Sequence, residues 1–243
     1  MLYYNLGEDI TAFTTDRSIG RDKDLLLKEL GMPDADFFYP HQTHTDKVMQ
    51  ISREFFELPE QTRRLLGEGK DAVICKDRGI ALGISTADCI PVLVYDPEHH
   101  AAAAIHAGWR GTVARIVEKG IAEMQMAFGT NPTACTAAIG PGISFDSFEV
   151  GDEVYQAFLD AGFSLDETTA GLFPARSTYG SMEKWHLDLK EINRQQLLAM
   201  GVKAANIHVS DVDTFTNTDY FSARREQKGD VKCGRILTGF VLN

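Results

Sequence analysis

The sequence predicts an α+β fold in one domain. Strand-like runs and helical stretches interleave without strict alternation, which disfavours a doubly wound parallel sheet. No repeat, low-complexity block or Pro/Gly/Ser-rich linker divides the 243 residues, a length that fits one large domain. Apolar residues at 44% and charged residues at 24% give an ordinary globular composition, which excludes disordered and fibrous classes.

Taken in order, branched and apolar residues mark strands at 71–75, 80–85, 90–95, 101–106, 135–139, 206–209 and 235–241. The first four are separated by short turns, Asp77-Arg78-Gly79 and Asp96-Pro97 among them, which suggests hairpins between sequence neighbours. Residues 112–128 read as one helix, because Val113, Ile116, Val117, Ile121, Met124 and Phe128 recur at steps of three and four, with Gly129 as its C-cap. Residues 152–161 form a shorter helix before Gly162. Asp188 and Glu191 have the spacing of a capping box and open a helix through Met200, closed by Gly201.

Charge narrows the partners. Asp and Glu number 35 against 24 Lys and Arg, a net charge of −11, so the overall basic footprint of a nucleic-acid binder is missing. Positive residues gather at Arg224-Arg225 and at Lys228, Lys232 and Arg235. The apolar stretches fall short of the roughly 20 residues that span a bilayer. Met1-Leu2-Tyr3-Tyr4-Asn5 lacks the basic start of a signal peptide. A soluble cytoplasmic protein, without nucleic-acid or membrane partners, is expected. Cys75, Cys89, Cys135 and Cys233 show no C-x-x-C spacing, so each reads as a small buried hydrophobe rather than part of a zinc finger or redox pair.

Three segments carry polar residues where strand patterns end: His41–Val48, Ser85–Pro91 and Ile105–Gly111. His106 closes an Ala-rich run, and Gly111-Thr112 would present backbone amides at a helix start, an anion-binding arrangement with Arg110 beside it. His and Cys ligate transition metals, but the long-range spacing here also suits buried Cys and surface His. His99-His100 reads as a solvated turn, and His186 and His208 as hydrogen-bonded structural residues.

The order Asp71-Ala72-Val73, Thr86-Ala87-Asp88-Cys89-Ile90-Pro91-Val92 and Ile105-His106-Ala107-Gly108-Trp109-Arg110-Gly111 resembles one family, named variously multicopper polyphenol oxidase, laccase-domain protein and purine nucleoside phosphorylase. Gln42-Thr43-His44, Gly140-Pro141-Gly142-Ile143, Phe148-Glu149-Val150-Gly151 and Phe221-Ser222-Ala223-Arg224-Arg225 extend the resemblance over nearly the whole chain. It implies a single compact domain over residues 1–243, with mixed β-sheets flanked by helices, and a metal held by His44, Cys89 and His106. The sequence departs from the family at Asp213-Thr214, where a Cys-Thr pair is common, and at Ala223. It departs again at Gly142 and the Ser144–Ser147 run, where cysteines are common.

The resemblance implies metal-dependent phosphorolysis of adenosine, inosine and S-methyl-5'-thioadenosine, with adenosine deamination. Zinc, which activates water, is the expected metal, and copper fits the same ligands. The alternative is a copper-dependent polyphenol oxidase. Seven His with no His-x-His pair cannot build a trinuclear copper cluster, although one His₂Cys site could hold a single copper. The usual zinc-deaminase signature is absent. Purine nucleosides and inorganic phosphate are therefore the expected partners of a monomer or small homo-oligomer. Arg110 is expected to grip phosphate and Asp88 to orient a ligand or serve as general acid/base. Gln42, Arg224, Arg225 and Arg235 are expected to bind substrate.

Overall fold

Strands Ile90–Asp96 and Ala101–Ala107 are buried along their whole length because both faces of their sheet are covered. The computed structural model describes residues 1–174, 183–229 and 234–243. In it these strands form the centre of a six-stranded mixed sheet, in the order Ile207–Val209, Thr136–Ile139, Ile90–Asp96, Ala101–Ala107, Ala72–Cys75, Val48–Gln50. The central pairings are antiparallel and the two edge strands pair in parallel.

Side chains alternate across that sheet with the strand period of two. Ala101, Ala103, Ile105 and Ala107 pack with Ile116, Val117, Ile121 and Met124 of the helix Ile116–Phe128. Ala102 and Ala104 face the opposite way, onto Leu82, Ile84 and Phe240 of a second sheet. That second sheet runs Leu2–Tyr4, Ile10–Thr14, Ile236–Leu242, Ile80–Thr86, Asp36–Phe38. Its far side is covered by Leu26 and Leu27 of the helix Lys23–Glu29, which pack on Phe13, Leu237, Ala81 and Val241. The layers are thus helix, sheet, sheet, helix. The alanine run lets the layers close together, and Gly120 lets the helix approach so closely that a Cβ there would lie 2.7 Å from Ile105 Cδ1. A small antiparallel sheet of Glu149–Val150, Glu183–Leu187 and Ala170–Pro174 flanks the body.

The expected strands are present with ends shifted by a residue or so, and the mixed sheets with flanking helices confirm an α+β fold. Two local expectations need correction. Ile90–Asp96 and Ala101–Ala107 form a hairpin, but Ala72–Cys75 and Ile80–Thr86 do not pair with each other. The turn at Gly79, with φ +73°, instead carries the chain from one sheet to the other. The second correction concerns the long helix, which is two helices, Trp109–Val113 and Ile116–Phe128. Arg115 sits between them at φ +60°, held by Glu118 at 2.8 Å and by the Phe163 ring at 4.3 Å. The capping contact of the last long helix is present: Asp188 accepts from the Glu191 N–H at 2.9 Å ahead of Leu189–Ala199.

Candidate functional site

His106 ends strand Ala101–Ala107, and the hairpin register sets it opposite Pro91. Cys89 therefore arrives next to it from the bend before Ile90. That bend is where the chain passes from the five-stranded to the six-stranded sheet, and Asp88 takes φ +80° to make the crossing. His44 comes from the loop ahead of Val48–Gln50, with φ +63°. Residues other than glycine uncommonly hold such a backbone, although histidine does so more often than most. Here the buried carboxylate of Asp71 fixes it, accepting the N–H groups of Thr43 at 3.1 Å, His44 at 3.0 Å and Thr45 at 2.8 Å.

The same carboxylate accepts from His106 Nδ1 at 2.7 Å. An ionised carboxylate can only accept, so Nδ1 carries a proton and Nε2 is the nitrogen left to meet a metal ion, which would displace any proton held there. The ligand atoms of His44, Cys89 and His106 all lie within 4.8 Å of one another, with Cys89 Sγ 3.8 Å from His44 Nε2. Burial alone would raise the Asp71 carboxyl, but the His106 and Thr45 hydrogen bonds hold it at about 2. Burial would likewise raise the Cys89 thiol, yet His106 and His44 draw it down to about 6. His106, which burial alone would push down, is pushed up to about 9 by Cys89 and Asp71. A thiolate stabilised between two imidazoles is a ready soft ligand.

The donor set fits a metal ion on several counts. Two nitrogens and a sulfur converge, one histidine is oriented from behind by a carboxylate, and the space beside them is kept clear by Gly108. A Cβ at Gly108 would lie 2.9 Å from His44 Cδ2 and 3.0 Å from Cys89 Sγ.

The three residues open onto a cavity of about 1120 Å³. Phe37, Phe38 and Tyr39 supply aromatic surface to it, and Arg21, Lys23 and Arg63 supply charge. Gln42 lines it too, with its amide paired to the Ser85 backbone: Nε2 donates to the carbonyl at 2.8 Å and Oε1 accepts the N–H at 2.7 Å. Arg235 lines it while bonded to Glu226 at 2.9 Å.

The other expected residues lie elsewhere. Asp88 turns away from the three ligands, and its carboxylate accepts from Thr214 Oγ1 at 2.7 Å, Ser222 Oγ at 3.0 Å and the Arg224 N–H at 2.7 Å. Arg110 is exposed, 4.1 Å over the Trp109 ring, and does not line the cavity. The helix beside it starts at Trp109, so the Thr112 N–H is already spent on the Gly108 carbonyl at 2.8 Å. Arg224 stands 5.7 Å over Phe148. Arg225 donates to the carbonyls of Thr214 at 2.6 Å, Phe215 at 2.9 Å and Asn217 at 3.0 Å, tying one loop together. Of the remaining cysteines, Cys75 and Cys135 are buried and free, and Cys233, like Lys232, lies outside the described residues. Sequence reasoning missed Asp71 as the anchor of the site, and it missed Arg21, Lys23 and Arg63. Asp71 was legible as part of the Asp-Ala-Val segment, but the cations had no local signal.

The sequence and fold have counterparts among known proteins. The chain is 41% identical over 226 residues to a purine nucleoside phosphorylase of Bacteroides thetaiotaomicron, covering 93% of this chain and 80% of that one. It is 39% identical over 215 residues to adenosine deaminase RL5 from an unknown prokaryotic organism, covering 88% and 78%. The solved structure of YlmD from Geobacillus stearothermophilus superposes with a TM-score of 0.80 at 25% identity, covering 97% of this chain and 92% of that chain. Residues 5–243 match the model of one family throughout, and the chain belongs to it: the multi-copper polyphenol oxidoreductase laccase family.

Proposed function

We propose that this chain is a metal-dependent purine nucleoside phosphorylase acting on adenosine, inosine and S-methyl-5'-thioadenosine, with adenosine deaminase activity. The observation that carries this reading is a His₂Cys donor set in the lining of a cavity that offers both aromatic and cationic surface. The relatives named for phosphorolysis and for adenosine deamination support the same substrate class.

His44, Cys89 and His106 would hold the ion, and zinc is the metal we favour, with copper accepted by the same donors. When bound, it supplies Lewis-acid polarisation and lowers the pKa of water. Asp71 keeps the His106 proton on Nδ1 and sets the His44 loop. Phe37, Phe38 and Tyr39 offer faces on which a purine can lie, aromatic stacking being tolerant of the base. Gln42, fixed by Ser85, and Arg235 line the cavity and would meet the ribose or base. Asp88 acts through position, fastening the Thr214 and Ser222 loops to the bend that carries Cys89.

The oxidase alternative is less well supported. Among the described residues only two histidines converge with the cysteine, too few for a trinuclear copper cluster. A cytoplasmic location suits the three cysteines that are free among the described residues, and we take the protein to be a monomer or small homo-oligomer. Among the described residues no helix is long and apolar enough to cross a membrane.

The test is a product assay. Zinc-loaded protein is incubated with adenosine, inosine or S-methyl-5'-thioadenosine, with and without phosphate, and the products are identified. Phosphate-dependent release of free base from zinc protein is expected, because zinc has no redox chemistry. Activity found only with copper and in step with oxygen consumption would overturn the reading.

A further inference from the structure

Five cations line the cavity, Arg21, Lys23, Arg63, Arg64 and Arg235, against two carboxylates, Glu60 and Glu68. This is a reversal in a chain of net charge −11. Pairing removes some of them: Arg64 meets Glu60 at 2.5 Å, Arg235 meets Glu226, and Glu68 is bonded to His41 at 2.8 Å. Arg21, Lys23 and Arg63 have no carboxylate partner among the described residues. Arg63 is the most committed of the three. Its Nε is buried with no hydrogen-bond partner, and its guanidinium stands 5.5 Å over the Phe56 ring.

Two close approaches build this wall. A Cβ at Gly20 would lie 3.3 Å from the Arg235 carbonyl, so the segment carrying Arg21 rests on the start of the Ile236–Leu242 strand. A Cβ at Gly67 would lie 2.6 Å from Phe38 Cζ, so the helix carrying Arg63 ends on the aromatic floor. The volume, about 1120 Å³, exceeds the roughly 300–1000 Å³ usual for one drug-sized ligand. A nucleoside and a separate anion can share it.

We infer that Arg21, Lys23 and Arg63 form the phosphate subsite of this cavity, facing a nucleoside held over the aromatic floor. The inference rests on the phosphorolysis reading and moves the anion from Arg110, which does not line the cavity, to three residues that do. In that reaction a phosphate oxygen forms a bond to C1′ as the C1′–N9 bond breaks. The bond's electron pair leaves with the purine, which takes up the proton of hydrogen phosphate, and ribose 1-phosphate is the second product. Cations that hold the phosphate oxygens favour the attack geometry and screen the charge.

Arg21 and Lys23 are exposed, so Arg21→Gln and Lys23→Gln should leave the fold unchanged, and Arg63→Lys serves as the conservative partner of Arg63→Gln. With metal-loaded protein and saturating inosine, the triple Gln variant should raise the KM for inorganic phosphate at least tenfold while the KM for inosine stays within twofold. Arg63→Lys should recover part of the loss. Calorimetric titration with inorganic phosphate alone provides a second readout. Phosphate binding that is lost in the triple variant, in protein with no phosphorolysis, keeps the subsite and overturns the proposed activity. Binding of a nucleoside monophosphate but not of inorganic phosphate, lost in the same variant, keeps the phosphate-binding wall and overturns inorganic phosphate as its ligand. An unchanged KM for phosphate, or a larger loss from Arg110→Ala than from the triple variant, overturns the inference.

Discussion

A Cβ at Gly108 would meet two of the three candidate ligands, so a single methyl group can probe the candidate metal centre. Its backbone, φ −69° at a helix N-cap, is one that alanine adopts freely. Gly108→Ala should therefore leave the thermal transition nearly unchanged, with a cost of about 1 kcal/mol or less. It should lower bound metal severalfold, because the new Cβ meets His44 and Cys89 at about 3 Å. His44→Ala and Cys89→Ala should lower metal content sharply with the fold intact, and full zinc occupancy in Cys89→Ala would end the triad assignment. His106→Ala differs in kind. It strips a buried carboxylate, Asp71, of its imidazole partner and leaves Thr45 Oγ1 as the side-chain donor, so it should also destabilise the metal-free protein by about 1–3 kcal/mol, measurable by denaturant titration. An equal stability loss in all three variants would mean that the Asp71–His106 bond has no special weight.

At the scale of elements, the sequence departures from the family account for one another. Asp213 stands where a cysteine is common, and it accepts from the Ser144 N–H at 3.2 Å and Ser147 Oγ at 2.6 Å, in the second departing segment. A hydrogen-bonded clamp joins the two loops. Burial would raise the Asp213 carboxyl, but Ser147 and the N–H groups of Phe215 and Ser144 lower it. A depressed folded pKa means that its stabilisation is complete above the unfolded carboxylate range and fades as pH falls through the folded value. Asp213→Asn should therefore unfold more easily near pH 7, and the gap to the parent should narrow as pH drops below about 4. A gap that stays constant across that range would exclude the carboxylate as its source. Local patterning made most strands, the Asp188 cap and Gly129 legible. The break at Arg115 was not legible, because it arises when a five-residue helix pinned against the site by Gly111 must join a helix laid along the sheet. The converging His44, Cys89 and His106 were named only through the family resemblance, since their spacing is long-range. Asp71 was visible in the Asp-Ala-Val segment but not its role, and Arg21, Lys23 and Arg63 come to line one cavity only through tertiary packing.

Across the whole molecule, the candidate metal site lies on the seam between the two sheets. Cys89 belongs to the crossing from Ile80–Thr86 to Ile90–Asp96, His106 to the six-stranded sheet, and His44 to the loop that Asp71 gathers in. An ion held by all three would join the seam in the folded chain and bind the unfolded chain far less well. Mass action then sets the stabilisation at about 2.7 kcal/mol when free metal is a hundred times its dissociation constant. For a chain of this length that corresponds to roughly 5–10 °C in the midpoint of thermal unfolding. Chelation of zinc from the parent protein should lower the midpoint by that amount, and readdition should restore it. Cys89→Ala should melt at the same temperature with and without zinc. Metal analysis must accompany each scan, since retained ion would mask the effect. A parent protein verified as metal-free that melts where the loaded protein does would show that the seam holds without the ion. The triad would then serve chemistry alone, and the packing of Ala102 and Ala104 against Leu82, Ile84 and Phe240 would be sufficient to keep the sheets together.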